Sequence, residues 1–100
     1  MLQHVVMWKL KEQALGMDKA ALCLELKKRL ESLVGKVPEI RAFQVGLNVV
    51  PGDTAHDVVL VSSFDDGAGL EGYMKNPDHQ RVVEFVKQVV AERRAVDYNA

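Results

Sequence analysis

One hundred residues, 48% hydrophobic and 27% charged, suffice for one domain with a real core and argue against disorder. Thirteen basic and fourteen acidic side chains give a net charge of -1, which leaves no electrostatic footprint for nucleic acid or an anionic membrane. No apolar run approaches the ~20 residues of a membrane span, Met1-Leu2-Gln3-His4 lacks the cationic start of a signal peptide, and the lone Cys23 excludes an internal disulfide or a cysteine-held cluster. The expected address is the reducing cytoplasm, and no cofactor or metal is expected.

Residues 2–11 read as a strand, with Leu2, His4, Val6, Trp8 and Leu10 on one face and Gln3, Val5, Met7, Lys9 and Lys11 on the other. Gly16 and Asp18 punctuate the chain, and Asp18 suits the N-cap of a helix over about 18–35. Leu22, Leu26, Leu30, Leu33 and Val34 form its apolar stripe, with Cys23 beside it as a small hydrophobe. Gly35 and Pro38 stop it.

Ile40 to Asn48 is a second strand, Val50 to Thr54 a loop, and Asp57 to Phe64 a third strand rich in β-branched residues. Asp65 to Lys75, with Gly67, Gly69 and Gly72, reads as one or two helical turns. Asn76 as N-cap and Pro77 at the first helical position restart a helix that runs to about Glu92. Arg94 to Tyr98 closes the chain as a short fourth strand.

The order β-α-β-β-α-β implies an α+β, ferredoxin-like sandwich over residues 1–100, with four antiparallel strands in spatial order 4-1-3-2 and both helices on one face. The other face should then alternate toward polar residues. It does not. Val5 and Met7 of the first strand and Val59 and Val61 of the third point away from the helices, and these are the two central strands. A second copy of the chain is the expected cover, so a homodimer is expected.

The segments "HVVMWKLK" (His4 to Lys11), "DVVLVSSF" (Asp57 to Phe64), "LEGYMKNPDHQRVVEFV" (Leu70 to Val86) and "VDY" (Val96 to Tyr98) resemble the stress-responsive dimeric A/B barrel proteins, the Dabb group of the dimeric α+β barrel superfamily. The resemblance spans nearly the whole chain, and its Tyr-x-x-x-x-Pro-x-His core is the specific part. It implies a ferredoxin-like protomer and two sheets packed face to face into an eight-stranded barrel. It also implies mixed functions, from stress-associated proteins without assigned chemistry to plant polyketide cyclases that use a Tyr and a His. Tyr73 and His79 match that pair; where the usual pattern has a histidine before the proline, this chain has Asn76.

His79 falls in the first turn of the last helix and shares the side of Val83, Val86 and Val90, at spacings of 4, 7 and 11. The helix N-terminus and burial both disfavour imidazolium there. A neutral imidazole suits a general base, and equally a core histidine bonded to a carbonyl. The Tyr73 phenol could donate to a carbonyl or enolate, or simply pack. A small apolar ligand between helices and sheet would meet His4, Val6 and Trp8 of the first strand, Leu60 of the third, and Val83 and Val86 of the last helix. Trp8 fits a core as well as a ligand wall, and His56 belongs to a solvated loop. Lys75 and Arg81 would flank the entrance.

Two functions therefore compete: a homodimeric binding protein for a small apolar ligand, and a cofactor-free cyclase or isomerase in which His79 takes a proton and Tyr73 holds the oxyanion. The monooxygenase and haem-degrading branches of the superfamily are less well matched, since nothing specifies an axial haem ligand. An RNA-binding reading fails because the central strands lack stacking aromatics.

Overall fold

The computed structural model describes residues 1–100. In chain order it contains β1 (Leu2–Leu10), β2 (Gln13–Ala14), β3 (Met17–Asp18), α1 (Lys19–Glu31), β4 (Ala42–Leu47), β5 (Val58–Phe64), α2 (Gly67–Lys75), α3 (Pro77–Val89) and β6 (Val90–Asn99). The four long strands form one antiparallel sheet in the order β4-β5-β1-β6. Counting only those four, this is the expected 4-1-3-2 arrangement of a ferredoxin-like fold.

The helices cover one face because alternation sends the apolar residues there. Val6, Trp8 and Leu10 of β1 and Val58, Leu60 and Phe64 of β5 are all buried. They meet Leu22, Leu26 and Leu30 of α1 and Val82, Phe85 and Val89 of α3 in one contiguous core. Asp18 caps α1 by accepting from the Ala21 amide at 2.9 Å. Asp66 caps α2 through the Gly69 amide at 2.9 Å. Asn76 both ends α2 and caps α3, its side chain accepting from the Asp78 amide at 2.8 Å, with Pro77 at the start of the new helix.

The structure corrects several boundaries. The helix expected over 18–35 ends at Glu31, because the next residues tighten into three-residue bonds, Leu33 N–H to Leu30 O and Val34 N–H to Glu31 O. Val34 is therefore exposed rather than part of the apolar stripe. The last helix stops at Val89, not Glu92, and the last strand is ten residues long instead of five. Pairing with β1 from Leu2↔Asn99 to Leu10↔Val90 overrides the good helix propensity of Ala91, Glu92 and Arg93. The small β2–β3 hairpin, Gln13↔Asp18 and Ala14↔Met17, is unexpected from the sequence. Its turn residues Leu15 and Gly16 both have positive φ, 53° and 75°, as a tight two-residue hairpin requires, yet Leu-Gly is not the usual Asn-Gly signature.

No helix covers the second face of the sheet. Val5 stands between Val61 on one side and Val96 on the other, and Met7 is opposite Val59. Met7, Val61, Val96 and Tyr98 are 41%, 40%, 56% and 48% exposed. No helix is long and apolar enough to cross a membrane.

Candidate functional site

The core is not filled to the end. Between β1, β5 and β6 below and α2 and α3 above lies a cavity of about 370 Å³, open to solvent on one side and walled mostly by apolar side chains. That volume is at the small end of ligand pockets. It exists because the buried stripe of α3 is His79, Val82, Phe85 and Val89. Val83 and Val86, one position round from it, are only partly buried and border the opening, as does Val90 where the chain enters β6.

His79 is held by the cap. As the third residue after Asn76 it turns back over α2, and its Nδ1–H donates to the Met74 carbonyl at 3.3 Å. That bond fixes the tautomer and leaves Nε2 without a partner in the chain. Burial holds the imidazole below its ordinary pKa; the Met74 bond opposes this, and His4 and Arg93 add to the lowering. Tyr73, on the last turn of α2, stacks at an angle on His79 with ring centroids 4.2 Å apart. Its phenol is pushed well above the usual range by burial, which Arg93 only partly offsets, so it stays protonated and can only enter chemistry as a donor.

His4 comes from below. It is 4% exposed, and its ring lies 6.1 Å from that of Tyr73. Its Nδ1–H donates to Asp97 Oδ1 at 2.5 Å, across the β1–β6 pair that sets His4 opposite Asp97. Two imidazoles and a phenol therefore border one apolar chamber. Each histidine is anchored through Nδ1, and each Nε2 lacks a partner in the chain.

The structure brings Tyr73 and His79 together with His4, Val6, Trp8, Leu60, Val83 and Val86, since all eight line the cavity. The Trp8 indole N–H is sealed within the wall and has no acceptor. Lys75 and Arg81 are not at the entrance: they pair with Glu71 and Asp78 on the outside of α2 and α3. The cations that line the cavity are Lys87 and Arg93. Arg93 lay inside the stretch between helix and strand whose boundary the sequence misplaces. Its facing follows only once β6 is known to pair Arg93 with Trp8. Asp97 falls in the last strand as expected, and its bond to His4 depends on that same register. His56 is not solvated: its side chain is 16% exposed and its Nε2 lies 3.4 Å from Glu92. No group of three or more His, Cys, Asp or Glu side chains is placed to hold a metal ion.

With this geometry in view, comparison with known proteins is informative. The sequence profile of the stress-responsive A/B barrel domain matches residues 2–100. The chain belongs to that family. It is 27% identical over 96 residues to an uncharacterized protein of Streptomyces coelicolor, covering 92% of this chain and 97% of that one. Among solved structures, a dimeric protein of unknown function with a ferredoxin-like fold from Bacteroides fragilis superposes with a TM-score of 0.87 at 28% identity, covering 99% of this chain and 95% of the other. A dimeric ferredoxin-like protein from Thermobifida fusca, at 18% identity, gives a TM-score of 0.85 over 99% and 90%. The A/B barrel family thus accounts for the fold and for the order of the matched segments, and it leaves the chemistry of the chamber to be argued from the residues.

Proposed function

We propose that this A/B barrel protein is a homodimer, joined through the open face of its sheet, in which each protomer binds a small, largely apolar ligand between helices and sheet. The observation that carries the ligand reading is the cavity of about 370 Å³ bordered by apolar walls and by His79, Tyr73 and His4. An apolar chamber with a few convergent polar groups is the usual form of a small-molecule site. The dimer reading rests on the outward valines of β1, β5 and β6 and on the dimeric state of the Bacteroides fragilis neighbour. Two such faces placed together would exclude water from both and close an eight-stranded barrel.

The test is binding of a neutral apolar fluorophore, N-phenyl-1-naphthylamine, to the purified protein. Saturable binding at one site per protomer is expected, and it should be lost in Val86→Trp, which puts an indole into the chamber from its α3 side. Binding that survives Val86→Trp unchanged would place the fluorophore elsewhere and defeat the reading.

A second reading is favoured by one observation: the only anchored nitrogen of His79 is Nδ1, and burial keeps the ring neutral. A neutral Nε2 beside a protonated phenol is the pair needed to move a proton next to a carbonyl. His79 would take the proton from the α-carbon, and Tyr73 would donate a hydrogen bond to the developing enolate oxygen. That is cyclase or isomerase chemistry without a cofactor. It predicts exchange of α-hydrogens of a bound ketone with deuterated water, at a rate lowered at least about hundredfold in His79→Ala.

A further inference from the structure

The charge of the chamber is one-sided. Its lining contains Arg93 and Lys87 and no carboxylate. Arg94 is engaged with Glu92, and Lys87 reaches Glu84 at 3.4 Å with both side chains 68% exposed. Arg93 is exposed at the mouth, opposite Trp8 on the helix side of the sheet, and its guanidinium has no ion-pair or hydrogen-bond partner within the chain. Its field reaches the interior, since it lowers the pKa of both Tyr73 and His79. The groups of the lining that lack partners are thus a guanidinium at the mouth, the Tyr73 hydroxyl and the two Nε2 atoms inside, and the Trp8 indole N–H sealed in the wall.

We propose that the ligand is an anion, specifically a small carboxylic acid with an apolar body, held with its carboxylate on Arg93 and its hydrocarbon between β5 and α3. The proposal rests on the reading of the cavity as a binding site and adds the chemical class of its occupant. The guanidinium fork can meet a carboxylate with two parallel hydrogen bonds, which an ammonium cannot. Lys87 adds positive potential at the same mouth without supplying that geometry, and its partner Glu84 already takes part of its charge. The partly buried valines Val83 and Val86 give the apolar body its contact, and no acidic side chain of the lining repels the head group. Of the carboxylates next to lining residues, Asp97 is occupied by His4 and Glu84 by Lys87.

The experiment is displacement of N-phenyl-1-naphthylamine by octanoate and by 1-octanol, matched in chain length and different in charge. Wild-type protein should release the fluorophore at an octanoate concentration at least about tenfold below that needed for octanol. In Arg93→Gln the ratio of the two displacing concentrations, each referred to the variant's own fluorophore affinity, should fall to within about threefold. Arg93→Lys should recover part of the preference, because it keeps the charge and loses the fork. Equal displacement by octanoate and octanol in wild type, or a preference that Arg93→Gln leaves intact, would overturn the proposal while the apolar site stands. Failure of the fluorophore to bind wild type would remove the site itself, and the proposal with it.

Discussion

The two faces of β5 are built from the same kinds of side chain, and at the middle of the strand they meet different fates. Val58, Leu60, Ser62 and Phe64 are no more than 2% exposed beneath the helices, while Val61, between them in sequence, is 40% exposed on the bare side. Alternating residues of one strand differ in environment and not in chemistry. An ordinary two-layer protein would have resolved this by making the outer residues polar. Here β1, β5 and β6 align Val96, Val5 and Val61 in a row across the outer face. Apolar residues on both sides of a central strand thus carry two messages: the inner set builds the protomer, and the outer set leaves a bare apolar face, the one proposed above as the dimer seam.

The largest effect should come from the covered face. Phe64 is fully buried against the Tyr73 ring, with centroids 5.0 Å apart. Phe64→Ala removes that packing and leaves a cavity, so it should lower unfolding free energy by about 3–5 kcal/mol in urea titrations. A cost below about 1 kcal/mol would mean that the inner face is not the principal core.

The open face should respond in assembly and not in folding. Val61→Asp places a carboxylate at the centre of the proposed interface, where a desolvated charge has no partner. Dimer dissociation should become at least about a hundredfold easier by light scattering and analytical ultracentrifugation. The circular dichroism of the monomer should stay native, since Val61 contributes nothing to the inner core. A Val61→Asp protein that remains dimeric at micromolar concentration would move the interface to another surface.

This division was legible in the sequence because it depends only on the two-residue period of strands. The face assignments of Val5, Val6, Met7, Trp8, Val59 and Leu60 need no long-range information, and neither do the caps Asp18 and Asn76. What escaped were features that pairing imposes from a distance. The ten-residue length of β6 comes from matching β1, so local propensity pointed to helix up to Glu92. The same error concealed Arg93 at the mouth, while the Asp97–His4 bond needed the β1–β6 register. The charges expected at the entrance, Lys75 and Arg81, are spent on i,i+4 and i,i+3 pairs along their own helices. The family motif located Tyr73 and His79, and Asn76-Pro77 marked the break between their helices, but the 4.2 Å approach of the two rings depends on how the helices pack, which only the fold displays.

The cavity is a part of the covered face that the chain leaves unfilled. Val86→Trp should therefore be tolerated far better than Phe64→Ala. Filling open space adds apolar contact, and any cost arises from rotamer strain of about 1–2 kcal/mol. Thermal melts should show a shift of a few degrees at most, alongside the loss of fluorophore binding. A collapse of stability would mean that Val86 is packed as tightly as Phe85, and that the chamber closes in solution.

The smallest expected effect is also the one that reports on the chamber's interior. His79 has a depressed pKa in the folded protein, chiefly through burial, and an ordinary value near 6.5 when unfolded. The unfolded state thus takes up a proton more readily than the native state as pH falls. Native stability supplied by keeping this ring neutral is fully present above about pH 6.5 and declines below it, until the folded-state pKa is reached. Urea midpoints measured at pH 7.5, 6.5 and 5.5 should fall across the lower half of that range in wild type, and the decline should be shallower in His79→Gln, which has no proton to gain. His4 and His56 remain in both proteins, so the difference between the two profiles reports residue 79 together with its coupling to His4. Octanoate bound at Arg93 should flatten the wild-type profile further, because a carboxylate in the chamber offsets the positive field that helps to keep His79 deprotonated. Parallel profiles for wild type and His79→Gln would show that the imidazole at position 79 titrates as freely in the native protein as in the unfolded chain, and that the chamber is wetter than its apolar walls imply.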